Sequence, residues 1–257
     1  MIPRLIGMVH LGALPGAPEF AGDLDAVLEA AISDALTLER AGFDGLMVEN
    51  FGDAPFFADD VPGVTVASMT RAVAAISAAV QLPIGVNVLR NDGVAALAVA
   101  AATGAQFIRV NVLSGTMWTD QGPIVGRAAE VSRLRRSIAP HVSIMADVFV
   151  KHATPPPGLT LELATRDLAD RGSADAIVVS GTGTGRPPSM TKLREVRTAA
   201  GATPIYLGSG VTTGTVARFL TVADGVIAGT AIKQRGVTTN PVAAKRAADF
   251  VKAARTR

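Results

Sequence analysis

Two kinds of segment alternate along the chain. One kind is short, apolar and rich in β-branched residues, and the other is longer, with apolar residues at helical spacing. In the first long segment, Leu24, Leu28 and Ala35 share one face of the predicted helix, while Asp25 and Asp34 lie towards solvent. The short segments predict eight strands, at residues 5–9, 45–49, 84–89, 107–113, 142–148, 176–180, 205–208 and 225–229.

Eight strand–helix alternations predict a closed parallel barrel. We therefore expect residues 1–257 to form a single (β/α)8 TIM barrel domain, a fold that typically takes about 250 residues. An open doubly wound sheet is the alternative, and it normally carries G-x-G-x-x-G after its first strand. Here the turn from His10 to Gly16 reads HLGALPG, which does not match, so nothing indicates a nucleotide cofactor.

Composition narrows the class of protein. Apolar residues make up 49% of the chain and charged residues 18%, which suits a large buried core and not a disordered segment. The chain has no cysteine, which excludes a disulfide framework, a thiolate metal site and a cysteine nucleophile. A net charge of +2 with only 4% aromatic residues does not suit nucleic-acid binding, which favours a basic stripe with stacking aromatics.

The mean hydropathy of +0.36 raises the question of a membrane span. The longest apolar stretches, such as residues 94–102, fall far short of the roughly 20 residues that a spanning helix needs. The first residues lack the charged and long apolar regions of a signal peptide. We therefore expect a cytoplasmic protein without a transmembrane segment, and an apolar chain of this kind leaves a homo-oligomer open.

In a barrel of this type, functional side chains gather at the carboxyl ends of the strands. Those positions are unusually polar here for such apolar strands, and a purely structural barrel has no need of polar side chains there. We therefore expect a binding or active site at this end. The polar residues at the strand ends are His10, Glu49, Asn50, Asn87, Arg90, Asn91, Arg109, Asn111, Asp147, Lys151, His152, Ser180, Thr182, Thr184, Ser209, Thr230 and Lys233.

Two glycine motifs, one after the seventh strand and one after the eighth, predict a phosphate site, because barrels of this kind usually bind phosphate there. Glycine lets backbone N–H groups approach phosphate oxygens, and a helix beginning near Val211 would add its positive end. Ordinary glycine turns are the alternative. The predicted phosphate-binding residues are Gly208, Ser209, Gly210, Gly229, Thr230 and Lys233.

Two pairs of ionisable residues are the candidate catalytic groups. His10 and Glu49 end the neighbouring first and second strands, and imidazole suits acid–base work near neutral pH. If the fifth strand continues, alternation places Asp147 and Lys151 on one side of it, where the lysine acts as a charged electrophile, a base or a Schiff-base nucleophile. A structural ion pair is the alternative. A divalent metal held by some of His10, Glu49, Asp147 and His152 is left open, although no H-x-H or H-E-x-x-H spacing supports one.

Hydrogen-bonding side chains at the other strand ends are candidate substrate-binding groups. Amides on neighbouring strands suit sugar hydroxyls or a carbonyl. Residues 182–186, after the sixth strand, predict a mobile loop that closes over the ligand and meets an anion through Arg186, with a flexible exposed turn as the alternative. The candidates are Asn87, Arg90, Asn111, His152, Ser180, Thr184 and Arg186.

Several of these stretches resemble the BtpA/SgcQ family. The resemblance lies in IGMVHL at residues 6–11, LPG at 14–16, GVNVLRND at 85–92, FIRVNV at 107–112, ADV and VKHA within 146–153, GSGV at 208–211, and GT with Lys233 near the end. These phrases span nearly the whole chain in the right order, and NVLRND and VKHA are the specific ones. The resemblance implies a TIM barrel of the ribulose-phosphate-binding kind.

The resemblance also implies two different functions. One branch of the family is named for the biogenesis or stability of photosystem I, and another lies beside sugar-metabolism genes. From the residues we expect an enzyme that acts on a small phosphorylated sugar or nucleoside-like metabolite, of the isomerase, epimerase, lyase or nucleosidase type. The alternatives are a biogenesis or stability factor for a membrane complex such as photosystem I, which needs an exposed apolar patch, and a ligand sensor without catalysis.

Overall fold

The computed structural model describes residues 2–181 and 183–256, so Thr182 of the predicted mobile loop lies outside the described residues. The strands are β1 (Leu5–His10), β2 (Gly45–Glu49), β3 (Ile84–Asn87), β4 (Phe107–Val110), β5 (Thr116–Thr119), β6 (Gly122–Val125), β7 (Ser143–Val148), β8 (Ala153–Thr154), β9 (Ala176–Val179), β10 (Ile205–Leu207) and β11 (Gly225–Ala228). Eight of them close a parallel barrel in the order β1–β2–β3–β4–β7–β9–β10–β11. The predicted TIM-barrel fold is confirmed.

Helices connect successive barrel strands on the outside of the barrel. They are α1 (Leu24–Ala41), α2 (Gly63–Ala79), α3 (Gly93–Thr103), α4 (Ala128–Ile138), α5 (Leu161–Arg166), α6 (Met190–Ala200), α7 (Val216–Phe219) and α8 (Ala244–Arg255). Asp23 caps the start of α1 by accepting a hydrogen bond from the Ala26 N–H at 2.9 Å, and Gly42 ends it at φ 88°. None of the helices in the described part of the chain is long and apolar enough to cross a bilayer.

The barrel has two apolar layers, because successive side chains of a strand point to opposite faces. One face packs beneath the helices, and the other fills the barrel interior with side chains such as Ile6, Met47 and Phe107. Gly85 makes room for the Phe107 ring, since a Cβ at residue 85 would lie 2.2 Å from it. The interior between the strands is therefore filled with side chains.

Two strands end earlier than the apolar pattern predicts. β3 stops at Asn87 and β4 at Val110, although the apolar runs continue to Leu89 and Leu113. Side-chain amides take the place of strand partners in these loops: Asn50 Oδ1 accepts from the Leu89 N–H at 2.7 Å, and Asn91 Oδ1 accepts from the Val112 N–H at 2.6 Å. The loops after β2 and β3 are thus held in fixed positions around the mouth.

A β-hairpin made of β5 and β6, which the sequence pattern did not predict, follows β4 and pairs with the short strand β8. Met117 and Ile124 on one face are buried in a small cluster with Val112 and Val150. Trp118 and Val125 on the other face are about half exposed, at 54% and 55%. The turn of this hairpin lies beside the mouth of the barrel.

Candidate functional site

Strand pairing places four polar side chains at one level of the barrel mouth. The register pairs His10 with Glu49, Glu49 with Asn87, and Asn87 with Arg109. Paired residues of neighbouring parallel strands point to the same side, so these side chains meet directly above the apolar interior. Each is almost fully buried.

Two adjoining cavities open above this layer. The glycine-loop cavity holds about 220 Å³ and is lined by the loops after β10 and β11 and by Arg246 of α8. The Arg90 cavity holds about 250 Å³ and is lined by Arg90, Phe56, His152 and the turn of the β5–β6 hairpin. The two cavities therefore form one cleft, whose junction consists of the residues that line both: Glu49, Phe51, Arg109, Lys151 and Thr184.

Backbone amides dominate the glycine-loop cavity. Several lining residues have N–H groups that donate no hydrogen bond to any described residue, among them Ser209, Gly210, Val211, Thr230 and Ala231. The Arg246 side chain donates from Nε to the Ala231 carbonyl at 2.9 Å, and no described carboxylate forms an ion pair with it. Free amides beside an arginine are the groups with which proteins bind phosphate.

Packing around the glycines of this cavity limits which residues can replace them. A Cβ at residue 208 would lie 2.5 Å from Val178 Cγ1 in the barrel interior, and one at residue 229 would lie 3.2 Å from His10 Cε1. Gly210 has φ +71°, and a Cβ there would lie 2.0 Å from the Arg186 carbonyl carbon. The backbone shape of these loops therefore depends on glycine at residues 208 and 210, whereas a Cβ at residue 229 requires His10 to shift by a few tenths of an ångström.

Two expectations about this cavity need correction. The helix expected near Val211 begins only at Val216 and is four residues long, so it adds no helix N-terminus beside the loop. Lys233 is 1% exposed, and its Nζ lies 2.6 Å from Asp34 Oδ2 instead of in the cavity. Asp34, expected to face solvent from α1, is buried because it neutralises Lys233 and accepts from the Val242 N–H at 2.7 Å.

Arg109 and Asp147 form a buried ion pair under the junction. Arg109 donates from Nε and Nη2 to the two carboxylate oxygens of Asp147, both at 2.8 Å, with side-chain exposures of 2% and 0%. Burial disfavours the guanidinium charge, but Asp147 outweighs burial and raises the pKa of Arg109. Asn87 donates to the Arg109 carbonyl at 3.0 Å. Asp147 is thus the ion-pair partner of Arg109, whereas the sequence pattern had suggested Lys151 as its partner.

Lys151 lies at the junction with no hydrogen bond or ion pair from its ammonium to a described residue. β7 ends at Val148, and Phe149 turns the chain at φ 46°, so the expected strand alternation from Asp147 to Lys151 is wrong. Burial lowers the pKa of Lys151, with Arg109 and Arg90 adding to the effect and Glu49 opposing it. A lowered pKa increases the fraction of free amine, the form that attacks carbonyls or takes protons.

His10 stays neutral in this setting. Its pKa lies well below the usual value because the ring is buried, and Lys233 and Lys151 add repulsion. The ring contacts Phe51 with centroids 4.8 Å apart, and Nε2 lies 3.7 Å from Glu49 Oε1. Nδ1 is buried without a hydrogen-bond partner among the described residues. A neutral imidazole next to a carboxylate can both donate and accept a proton.

The loops after the fifth and sixth barrel strands meet at the edge of the Arg90 cavity. The Thr184 N–H donates to His152 Nε2 at 3.2 Å, and the Thr184 hydroxyl lies 3.2 Å from the same nitrogen. Burial lowers the pKa of His152, and the charges of Lys151 and Arg90 lower it further. The imidazole therefore acts as an acceptor that holds the two loops together.

Comparison with known protein families identifies the family of the chain. The family model described as "BtpA family" matches residues 2–256. The chain belongs to the BtpA family. It is 49% identical over 253 residues to an uncharacterized protein of Thermococcus kodakarensis, covering 98% of this chain and 95% of that one.

A second BtpA relative carries a functional name. The photosystem I biogenesis protein BtpA of Synechocystis sp. is 43% identical over 249 residues, covering 97% of this chain and 87% of that one. Among solved structures, a tryptophan synthase structure from M. tuberculosis matches with a TM-score of 0.64 at 19% identity, covering 99% of this chain and 93% of that one. At this identity the structural match supports the fold alone.

Most of the residues predicted for this BtpA chain line the cleft, and five do not, one of which is Lys233 beside Asp34. The residues in the cleft wall are His10, Glu49, Arg90, Asn111, Lys151, His152, Thr184, Gly208, Ser209, Gly210, Gly229 and Thr230. Asn87, Asp147 and Ser180 are buried beneath it, and Arg186 is exposed outside it. Arg186 instead contributes its carbonyl, which accepts from Ser209 Oγ at 3.4 Å.

Several lining residues of the BtpA cleft had no predicted role, among them Arg109, Phe51 and Arg246. Arg109 was named only among the polar residues at the strand ends, and its ion pair with the buried Asp147 fixes the position of its guanidinium. Phe51 follows β2 in a short 3₁₀ turn, and Arg246 lies in the first turn of α8. Strand ends carry the usual signal for barrel chemistry, and a helical arginine far along the chain gives no comparable signal.

The four side chains for which a metal site was left open do not form a cluster. Within residues 2–181 and 183–256, no three histidine or carboxylate side chains come together in a way that could hold an ion. Asp147 is paired with Arg109, and His152 accepts a hydrogen bond from Thr184. Of the four candidate ligands, His10 and Glu49 remain as neighbours.

Proposed function

We propose that this chain is an enzyme that acts on a small phosphorylated metabolite, with the phosphate bound in the glycine-loop cavity. One juxtaposition carries the proposal. Free amides and Arg246 line one cavity, and the ionisable side chains of Glu49 and Lys151 stand at its junction with the next. A phosphate bound at one end would hold the carbon skeleton over these two groups, which is how remote binding energy aids catalysis.

The junction suits chemistry next to a carbonyl group. Glu49, with neutral His10 beside it, is placed to take a proton from a substrate carbon and return it, as in isomerisation or epimerisation. Lys151 as an ammonium would stabilise the oxyanion that forms. As a free amine it would instead add to the carbonyl and release water, giving a Schiff base that permits carbon–carbon bond cleavage.

A turnover assay tests this function. Wild-type protein is incubated with aldose and ketose phosphates, and conversion is followed by NMR. We expect Lys151→Met to slow conversion by about 10²- to 10⁴-fold, because one positioned acid–base group contributes that much. Lys252→Met, at an exposed site on α8, is the matched control. Unchanged conversion in Lys151→Met would contradict the proposed role of the junction.

Borohydride separates the two roles of Lys151. A Schiff base is reduced to a stable secondary amine, so trapping would add the mass of the substrate carbon skeleton to the wild-type chain and not to Lys151→Met. Conversion without trapping would assign Lys151 the electrostatic role.

A second candidate function rests on the exposed face of the hairpin. Trp118, Pro123 and Val125 share this face, because the register places Trp118 opposite Pro123, two residues from Val125. The name of the Synechocystis relative refers to photosystem I biogenesis, and an apolar face of this kind suits contact with a membrane complex. In cell fractionation, a Trp118→Lys/Val125→Lys variant should leave the membrane fraction while keeping ligand binding. Wild-type protein found only in the soluble fraction would exclude this candidate.

A further inference from the structure

Arg90 is a buried cation without an ion-pair partner. Arg90 is 5% exposed, and no described carboxylate forms an ion pair with its guanidinium. Nη2 donates to the Lys151 carbonyl at 2.6 Å, which uses one of the five N–H donors of a guanidinium. Burial lowers the pKa of Arg90, because its charge has lost hydration that nothing nearby fully replaces.

The surrounding charges leave the Arg90 cavity attractive to an anion. Arg109 at its floor is neutralised by Asp147, and Glu49 at the junction faces Lys151. Asp120, in the turn of the hairpin, is the other carboxylate of the cavity wall, and it is exposed to solvent. Screening by water weakens an exposed carboxylate, so Arg90 keeps most of its positive potential.

We infer that the ligand carries a second anionic group, a carboxylate, and that Arg90 binds it at the end of the cleft opposite the phosphate. This inference rests on the proposed function for its first anchor alone. The planar guanidinium matches the two oxygens of a carboxylate, and the apolar side chains of Phe56 and Leu89 in the same wall keep water away. The substrate class is thus a phosphorylated sugar acid or hydroxy acid.

The choice of carboxylate over a second phosphate follows from the lining of the cavity. The glycine-loop cavity offers several free backbone amides. The donors of the Arg90 cavity are the side chains of Arg90, Lys151 and His152, and Lys151 is needed at the junction. One guanidinium satisfies the single charge of a carboxylate. A phosphate dianion carries a second negative charge, which Arg90 alone does not neutralise.

Isothermal titration with matched phosphates tests the second anchor. The pairs are 3-phosphoglycerate with glycerol 3-phosphate, and 6-phosphogluconate with glucitol 6-phosphate. Each pair differs in a terminal carboxylate, and the two lengths allow for the span of the cleft. We expect the carboxylate member of at least one pair to bind more tightly by about tenfold or more, as charge-assisted hydrogen bonds give.

Variants at Arg90 show whether that preference belongs to this residue. Arg90→Gln should abolish the preference and leave the affinity for the polyol phosphate within about twofold, because a purely structural defect would weaken both members alike. Arg90→Lys should keep part of the preference, and Arg136→Gln, at an exposed arginine of α4, should keep all of it.

The outcomes separate this inference from the proposed function. Equal binding within both pairs, or a preference that survives in Arg90→Gln, would overturn the second anchor while leaving the phosphate site standing. Failure of every phosphate compound to bind, inorganic phosphate included, would overturn the phosphate site itself.

Discussion

The two halves of the cleft offer positive potential in different ways. The glycine-loop half uses backbone amides, whose positions depend on glycines packed against Val178, Arg186 and His10. The Arg90 half uses side chains, and Arg90 is held by one bond to the Lys151 carbonyl. A site made of backbone cannot be altered without altering the fold. A site made of side chains can change its ligand while the barrel stays the same.

The largest expected effect comes from the floor that both halves share. Asp147→Ala leaves the buried Arg109 charge without its partner, and we expect the free energy of unfolding to fall by about 3–5 kcal/mol. Denaturant unfolding measures the change. Asp120→Ala removes an exposed carboxylate of the Arg90 cavity and should stay within about 0.5 kcal/mol of wild type. Equal losses in the two variants would contradict the role of the buried pair.

A substitution in the glycine-loop half should disturb the fold more than its small size implies. Gly210→Ala places a side chain at φ +71° against the Arg186 backbone, and strain of this kind costs about 1–3 kcal/mol before the collision is added. Gly214→Ala, in the same loop, meets only Thr212 Oγ1 at 3.9 Å and is the matched control. The melting temperatures of the two variants give the comparison, and a Gly210→Ala protein as stable as Gly214→Ala would show that the loop relaxes.

The junction adds a pH dependence. The pKa of His10 is depressed in the folded protein, so the unfolded chain takes up a proton first as the pH falls below about 6.5. The free energy of unfolding therefore keeps its full value above that pH. Below it, the free energy falls by up to about 1.4 kcal/mol per pH unit, until the folded protein also binds the proton. His10→Gln should flatten the decline between pH 6.5 and 5. His152→Gln, at an exposed residue, should flatten it less.

Much of the barrel could be predicted because strand periodicity is a local property of the chain. The polar strand ends were also predictable, since the parallel register that aligns His10, Glu49 and Asn87 follows from the fold. The β5–β6 hairpin was missed because its strands, TMWT and GPIV, lack the continuous apolar, β-branched run that marks the barrel strands.

Pairings between distant residues could not be predicted in the same way. Lys233 looked like a phosphate ligand from its place after the eighth strand, yet Asp34, 199 residues earlier, binds it. Asp147 looked like a partner of Lys151 until Arg109 supplied a closer one. Side-chain geometry decides which charged groups pair. The periodicity and spacing of the sequence carry no information about that geometry.

Titration of inorganic phosphate into wild type, Arg246→Gln and Arg136→Gln measures whether the glycine-loop cavity binds phosphate. Arg246 lines the cavity and Arg136 does not, so we expect Arg246→Gln to weaken binding by about 10- to 100-fold and Arg136→Gln to leave it unchanged. Equal phosphate affinity in all three proteins, or no binding to wild type, would show that the glycine-loop cavity is not a phosphate site.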